Sequence, residues 1–267
     1  MSFMTVKASQ IETAHPHPVL LVGAGPGAAD LITIRGARSL GQAEVVLYDD
    51  LANAELLELC PVASEKIYVG KRAGSHSASQ DKICALLVEK ALTGKRVVRL
   101  KGGDPMIFGR AGEELQALSD AGIDFEIVPG VTAAAAAGAI SGIPLTQRGI
   151  TSTMVFVTGH DCADRATPVN WKALAELRAT LCIYMGTRKF GAIAEALVEG
   201  GLPAHTSVAV VAGATLSSQD VRIGSLADGD ALTADPERRP ALIIVGEVVR
   251  WSQLAKAAEQ LAAVSSV

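Results

Sequence analysis

The sequence predicts an α/β fold of two domains, each a mostly parallel sheet flanked by helices. Three observations carry this. Short apolar runs that suit buried strands alternate with stretches of helical period. The runs end at glycine or acidic residues, the punctuation of strand-to-helix turns. The chain of 267 residues is 49% hydrophobic but only 4% aromatic, so its core rests on Ala, Val, Leu and Gly, which suits helices packed closely on parallel strands.

Residues 1–17 read as a mobile polar tail, 18–130 as the first domain and 131–267 as the second. The run at 19–22 stops at glycines, as a fully buried strand does. A helix is expected at 29–42, then a strand at 45–48 ending in Asp49 and Asp50. A short strand at 67–69 leads into the polar loop 70–79. The helix at 80–92 runs up to Gly94, a left-handed cap. Residues 97–100 form a strand opening into the glycine-rich loop 101–110, followed by a helix to Gly122 and a fifth strand at 125–128. Pro129-Gly130 marks the boundary between domains. Beyond it, strands are expected near 154–158, 181–185, 208–211 and 242–245, with helices near 171–177, 189–199 and 253–263. Residues 217–226 lack the helical period and suit an extended hairpin. Strand alternating with helix predicts right-handed crossovers in both sheets.

The net charge of −4 argues against general nucleic-acid binding, which depends on many cations neutralising phosphates. It leaves room for an anionic small substrate in a locally cationic site. Cysteines 60, 84, 162 and 182 show no two-residue spacing, which predicts buried thiols in a reducing compartment. Residues 1–18 hold no apolar run of signal-peptide length, and no run is long enough to span a bilayer. A cytoplasmic protein with no membrane partner is expected. His15 and His17 have no further metal-ligating residues nearby in sequence, so no metal is expected.

Two loops invite chemistry. Gly23-Ala24-Gly25-Pro26-Gly27-Ala28 satisfies the loose dinucleotide pattern, with Asp49 or Asp50 at the next strand's tip. On that reading the chain is an NAD-dependent dehydrogenase; on the plainer one the glycines serve a tight turn. The second loop, Leu100-Lys101-Gly102-Gly103-Asp104-Pro105-Met106-Ile107-Phe108-Gly109-Arg110, lets a ligand touch main-chain atoms, and Asp104 can accept hydrogen bonds from a ribose or an ammonium group. A dehydrogenase does not require it. Both loops lie beyond the carboxyl ends of strands, where open parallel sheets bind ligands.

The succession Val22-Gly23-Ala24-Gly25-Pro26-Gly27, Tyr48-Asp49-Asp50-Leu51, Val69-Gly70-Lys71-Arg72 and Lys101-Gly102-Gly103-Asp104-Pro105 resembles the tetrapyrrole methylases. Pro129-Gly130-Val131-Thr132-Ala133, Pro144-Leu145-Thr146-Gln147-Arg148-Gly149, Thr158-Gly159-His160 and Tyr184-Met185-Gly186 extend the likeness over residues 19–249. Ala212-Gly213-Ala214-Thr215 departs from it, because relatives often carry an acidic residue or asparagine there; a backbone contact would survive. The resemblance implies an active site in the cleft between the two domains, S-adenosyl-methionine as co-substrate with S-adenosyl-homocysteine as product, and a homodimer. It further implies two C-methylations of the small-molecule tetrapyrrole uroporphyrinogen III, through precorrin-1 to precorrin-2, feeding sirohaem, cobalamin or haem d1.

On the matching positions, the resemblance makes Pro26 the floor of the cofactor site, while Gly102, Gly103 and Asp104 hold the amino-acid or ribose portion. Thr132 and Ala133 open a helix whose free N–H groups meet the cofactor carboxylate. Tyr184 and Met185 lie against the adenine, and Gly213, Ala214, Pro240, Ala241 and Leu242 complete its pocket. A carboxylate-rich substrate calls for cations, here Lys71, Arg72, His76, Arg110 and Arg148; arginine suits fixed, bidentate recognition. The plain alternative for each is solvated surface charge. Alignment of carbon, methyl and sulfur with exclusion of water supplies much of the acceleration. Arg110 is a poor base, with a pKa above about 12, so it orients substrate, and Glu113 one turn along assists catalysis. His160 either lines the cleft or is structural. Rival readings are a methylase of a later corrinoid, an RNA-modifying relative disfavoured by the acidic balance, the dehydrogenase, and a non-catalytic tetrapyrrole carrier.

Overall fold

The computed structural model describes residues 17–70, 79–160, 168–234 and 239–252, so the tail at 1–16 and the helix expected at 253–263 lie outside the described residues. The chain forms two compact units, one taking the residues up to Gly25 with Ala29–Gly130, the other Pro26–Ala28 with the residues from Val131 onward.

In the first unit five strands form one sheet: β1 (Val19–Gly23), β2 (Val45–Tyr48), β3 (Glu65–Tyr68), β4 (Val97–Lys101) and β5 (Phe125–Val128). Their order is β3-β2-β4-β1-β5, and every neighbouring pair is parallel. The central strands β1, β2 and β4 are buried on both faces, which is why β1 and β2 read as unbroken apolar runs, while β4 buries Arg99 and Lys101 among its apolar residues. Helices α2 (Gln80–Leu92) and α3 (Ala111–Asp120) cover one face through Ile83, Leu87, Ala91 and Leu118. Helix α1 (Ile34–Leu40) covers the other through Leu40, joined by Leu56 of a 3-10 turn at Ala54–Leu59. Full burial of a leucine such as Leu21, Leu47 or Leu100 stabilises by about 1.5–3 kcal/mol.

The helix expected at 29–42 is shorter. Ala29–Leu31 is a separate 3-10 turn, and the α-helix starts after Thr33, whose extended backbone breaks the run while its hydroxyl accepts from Gly36 N–H at 3.1 Å. A capping hydroxyl of this kind satisfies a donor at a helix start, and that fixes the boundary.

The second unit corrects the expectation of a mostly parallel sheet. Its strands β6 (Met154–Thr158), β7 (Thr180–Tyr184), β8 (Ser207–Ala212), β9 (Asp220–Ser225) and β10 (Ala241–Val245) are ordered β6-β7-β10-β8-β9. Only β6 and β7 pair in parallel; β10 runs against both β7 and β8, and β8 against β9. The link from β8 to β9, residues 213–219, is too short for a parallel crossover, which needs about a dozen residues or more. A hairpin results, as the missing helical period at 217–226 suggests. The helix α7 (Gly229–Thr233) then returns the chain so that β10 runs with β9 and against its own neighbours. Helices α5 (Trp171–Glu176) and α6 (Phe190–Glu199) pack one face of this sheet, and α4 (Ala133–Ser141) packs the other through Ala134 and Ala137.

Candidate active site

The tips of β1, β4 and β5 meet backbone to backbone. Ala24 N–H donates to Lys101 O at 2.7 Å, and Gly25 and Gly103 exchange both main-chain hydrogen bonds, at 3.2 and 2.6 Å. A Cβ on Gly23 would lie 2.6 Å from Gly130 Cα and 2.7 Å from Gly103 O, so no other residue fits at this convergence. The two glycine-rich tips expected from sequence therefore face one another, closed by the glycine of Pro129-Gly130. Asp104 braces this arrangement: its Oδ1 accepts from Met106 N–H at 2.9 Å and its Oδ2 from Gly130 N–H at 3.0 Å. Its carboxylate is thus already engaged by the protein, and only its remaining lone pairs are left for a ligand.

The loop after β4 stores strain. Phe108 and Arg110, neither of them glycine, both sit in the left-handed region at φ 52°, each costing of order 1 kcal/mol or more unless the surroundings hold it. Arg110 is the N-cap of α3, and its Nε and Nη2 donate to Glu113 Oε1 and Oε2, both at 2.7 Å. The structure brings these two predicted residues together as a bidentate pair, with the side chains 58% and 48% exposed. The guanidinium edge assigned to a substrate carboxylate is therefore occupied by Glu113.

Beneath the same loop lies a group of charges that sequence reasoning missed. Arg99, Lys101 and Glu114 are all buried, Glu114 completely. Glu114 Oε1 accepts from Lys101 Nζ at 2.9 Å, Arg99 Nε at 3.2 Å and Gln80 Nε2 at 3.3 Å. Arg99 Nη2 also reaches Asp49 Oδ2 at 2.8 Å. Glu114 Oε2 is buried without a partner among the described residues. The Lys101 ammonium is held below its ordinary range first by burial and then by the neighbouring Arg99 charge, with Glu114 opposing both. A signal was present: Arg99 and Lys101 stand two apart in an apolar strand, hence on one face of it.

In the second unit, register assembles most of the expected cofactor residues at one end of the sheet. Leu242 of β10 lies opposite Tyr184 of β7 on one side and Val211 of β8 on the other, and Gly213 N–H donates to Pro240 O at 2.9 Å. Ala241, Ala214 and Met185 belong to the same edge; Met185, at φ 54°, and Gly213, at φ 56°, take left-handed conformations there. Pro26–Ala28 groups with this unit, where Ala28 N–H donates to Thr215 Oγ1 at 2.9 Å. Thr132 and Ala133 do open α4, but the first-turn N–H of Ala134 is taken by Tyr184 Oη at 3.2 Å, and Thr132 Oγ1 lies 2.7 Å from the same hydroxyl. The phenol of Tyr184 thus caps a helix, and a ligand contact at this residue would run through its main chain.

The profile of the tetrapyrrole (corrin/porphyrin) methylases matches residues 18–230. The chain belongs to the tetrapyrrole methylase family. It is 53% identical over 231 residues to siroheme synthase 1 of Yersinia pseudotuberculosis, covering 86% of this chain and 48% of that protein. It is 50% identical to the siroheme synthase of Baumannia cicadellinicola, covering 88% of this chain and 50% of that protein. The chain spans about half the length of the curated relatives it matches. Among solved structures, uroporphyrin-III C-methyltransferase from Thermus thermophilus complexed with S-adenosyl-homocysteine has a TM-score of 0.75 at 38% identity, covering 87% of this chain and 99% of that one. A cobalt precorrin-4 methyltransferase has a TM-score of 0.75 at 30% identity, covering 86% and 95%.

Lys71, Arg72 and His76 lie outside the described residues. Arg148 is exposed in a turn closed by Gln147 and Thr151, in the second unit, whereas Arg110 belongs to the first. His160 is exposed and uses its N–H on Thr158 Oγ1 at 3.1 Å. A cavity of about 560 Å³ in the second unit is lined by Thr187, Asp220, Arg222 and Ala241 among others; of the expected cofactor residues only Ala241 borders it. No helix of the described residues is long and apolar enough to cross a membrane.

Proposed function

We propose that this methylase transfers methyl groups from S-adenosyl-methionine to carbon atoms of uroporphyrinogen III, twice, through precorrin-1 to precorrin-2. The product would feed sirohaem, cobalamin or haem d1 synthesis, and the working form is a cytoplasmic homodimer. The observation carrying this reading is the meeting of glycine tips at Gly23, Gly103 and Gly130, in a chain 38% identical to a uroporphyrin-III C-methyltransferase that holds S-adenosyl-homocysteine. On this reading the first unit contributes main chain at Gly102 and Gly103, and the second contributes the start of α4 and the strand ends at Met185, Gly213, Ala214 and Pro240–Leu242.

The chemistry asks little covalent help from side chains. The ring carbon's electron pair attacks the sulfonium methyl, the methyl–sulfur bond breaks towards sulfur, and the ring then loses a proton. The protein aligns the three atoms and excludes water. On this reading Arg110 and Arg148, both exposed, contribute positive charge towards the substrate carboxylates, with the Nε–Nη2 edge of Arg110 held in one orientation by Glu113.

Transfer of labelled methyl from S-adenosyl-methionine to uroporphyrinogen III tests the proposal. Two equivalents per ring support it; binding of NAD but not of S-adenosyl-homocysteine overturns it in favour of the dehydrogenase. The resemblance to a cobalt precorrin-4 methyltransferase favours one second reading, methylation of a later corrinoid. Turnover of such a corrinoid in preference to uroporphyrinogen III would establish it.

A further inference from the structure

We propose that Glu114 is a positioning residue for the donor-binding loop, holding it through the buried cations Arg99 and Lys101. This rests on the proposed methyltransferase function. The loop 102–110 runs from β4 to α3, so its geometry is set by how these two elements are tied. Arg99 and Lys101 are the charged residues of β4, and Glu114 lies in the first turn of α3. One carboxylate oxygen therefore links strand to helix directly across the loop's two ends.

The loop needs such a tie. It holds two left-handed non-glycine residues, and conformations of that kind persist only when surrounding structure over-determines them. Lys101 forms part of its floor, since a Cβ on Gly109 would come within 3.3 Å of Lys101 Cε. The main chain of Lys101 also accepts from Ala24 N–H, so the same residue anchors the first glycine tip. Arg99 and Lys101 are balanced by Glu114 and by Asp49, which Arg99 also contacts. Removing the Glu114 charge leaves two buried cations with one partly exposed carboxylate, and the strand-to-helix tie is lost. A buried charge network is weak evidence for stability alone, because apolar replacements are often as stable.

Calorimetric titration with S-adenosyl-homocysteine of the wild-type chain, Glu114→Gln and Lys101→Met, each with its thermal midpoint, tests the proposal. Loss of a hydrogen bond to a charged group predicts a Kd raised about tenfold in Glu114→Gln. Lys101→Met leaves Glu114 and Asp49 paired with Arg99, so its midpoint should fall less than that of Glu114→Gln while its Kd rises about fivefold, and this variant decides the matter if Glu114→Gln does not fold. Weaker binding by protein that is still fully folded at the titration temperature supports positioning. Kd values within about twofold of wild type, or losses that merely track a falling midpoint, overturn it. Failure of the wild-type chain to bind at all overturns the methyltransferase reading instead.

Discussion

Replacement of Gly23 by alanine tests whether the convergence of strand tips is as tight as its geometry says. The added Cβ would sit 2.6 Å from both Gly130 N and Gly130 Cα and 2.7 Å from Gly103 O, against about 3.4 Å for an ordinary contact. All three are main-chain atoms, so no rotamer change relieves an overlap of about 0.8 Å, and the tips of β1, β4 and β5 must separate. Gly23 does not have a positive φ, so the cost is steric rather than conformational. Overpacking of this severity costs about 2–3 kcal/mol, or roughly 4–6 °C in thermal midpoint for a chain of this size. Gly112→Ala is the control: it lies in the exposed first turn of α3 with nothing within 4 Å of its would-be Cβ. Alanine there should stabilise by about 0.5–1 kcal/mol, since glycine is a poor helix former. Scanning calorimetry measures both, and titration with S-adenosyl-homocysteine should show affinity reduced about tenfold in Gly23→Ala alone. A Gly23→Ala protein with the wild-type midpoint and wild-type affinity would refute the reasoning.

Two further outcomes follow from the second unit. Tyr184→Phe removes the hydroxyl shared by Thr132 and Ala134 N–H while keeping the edge-to-face contact with Phe156, so the midpoint should fall by an amount matching about 1–2 kcal/mol; an unchanged midpoint would show that the helix start is satisfied otherwise. Burial pushes the Cys182 thiol up to about 12 from its ordinary 9.0, so it should stay unalkylated by iodoacetamide in the native chain at mildly alkaline pH and react once denaturant is added, as peptide mass mapping would record. Because the folded value is raised, the unfolded chain loses this proton first. Stability should therefore decline as pH rises from about 9 towards 12, and Cys182→Ala should lessen that decline.

Much of this chain was legible because its central strands are buried on both faces. The runs at 19–22 and 45–48 are apolar without alternation, that at 97–100 is broken only by Arg99, and glycine follows at the tips of β1 and β4, where backbone touches backbone. The pairing of strands was less legible. Apolar runs at 208–211 and 242–245 look the same in either direction, and only the short link from β8 to β9 and the insertion of β10 between β7 and β8 make that sheet chiefly antiparallel. The start of α1 was missed because Thr33 competes as a cap within a stretch of otherwise acceptable helical residues.

The candidate site divides in the same manner. Composition, glycine spacing and motif order by themselves determined the family likeness and the two glycine-rich tips, since both depend on which residues follow which along the chain. Tertiary structure alone decided what the polar side chains do. Glu113 and Glu114 are neighbours of identical chemistry, yet successive residues on an α-helix point about 100° apart. That rotation leaves Glu113 beside Arg110 in solvent and buries Glu114 beneath β4 against Lys101 and Arg99. Tyr184 was expected to meet a ligand through its backbone, and what its hydroxyl does was decided by the register of its strand, which carries it to the start of α4. Orientation about a helix axis and reach across a sheet belong to packing, and packing is settled only when the elements come together.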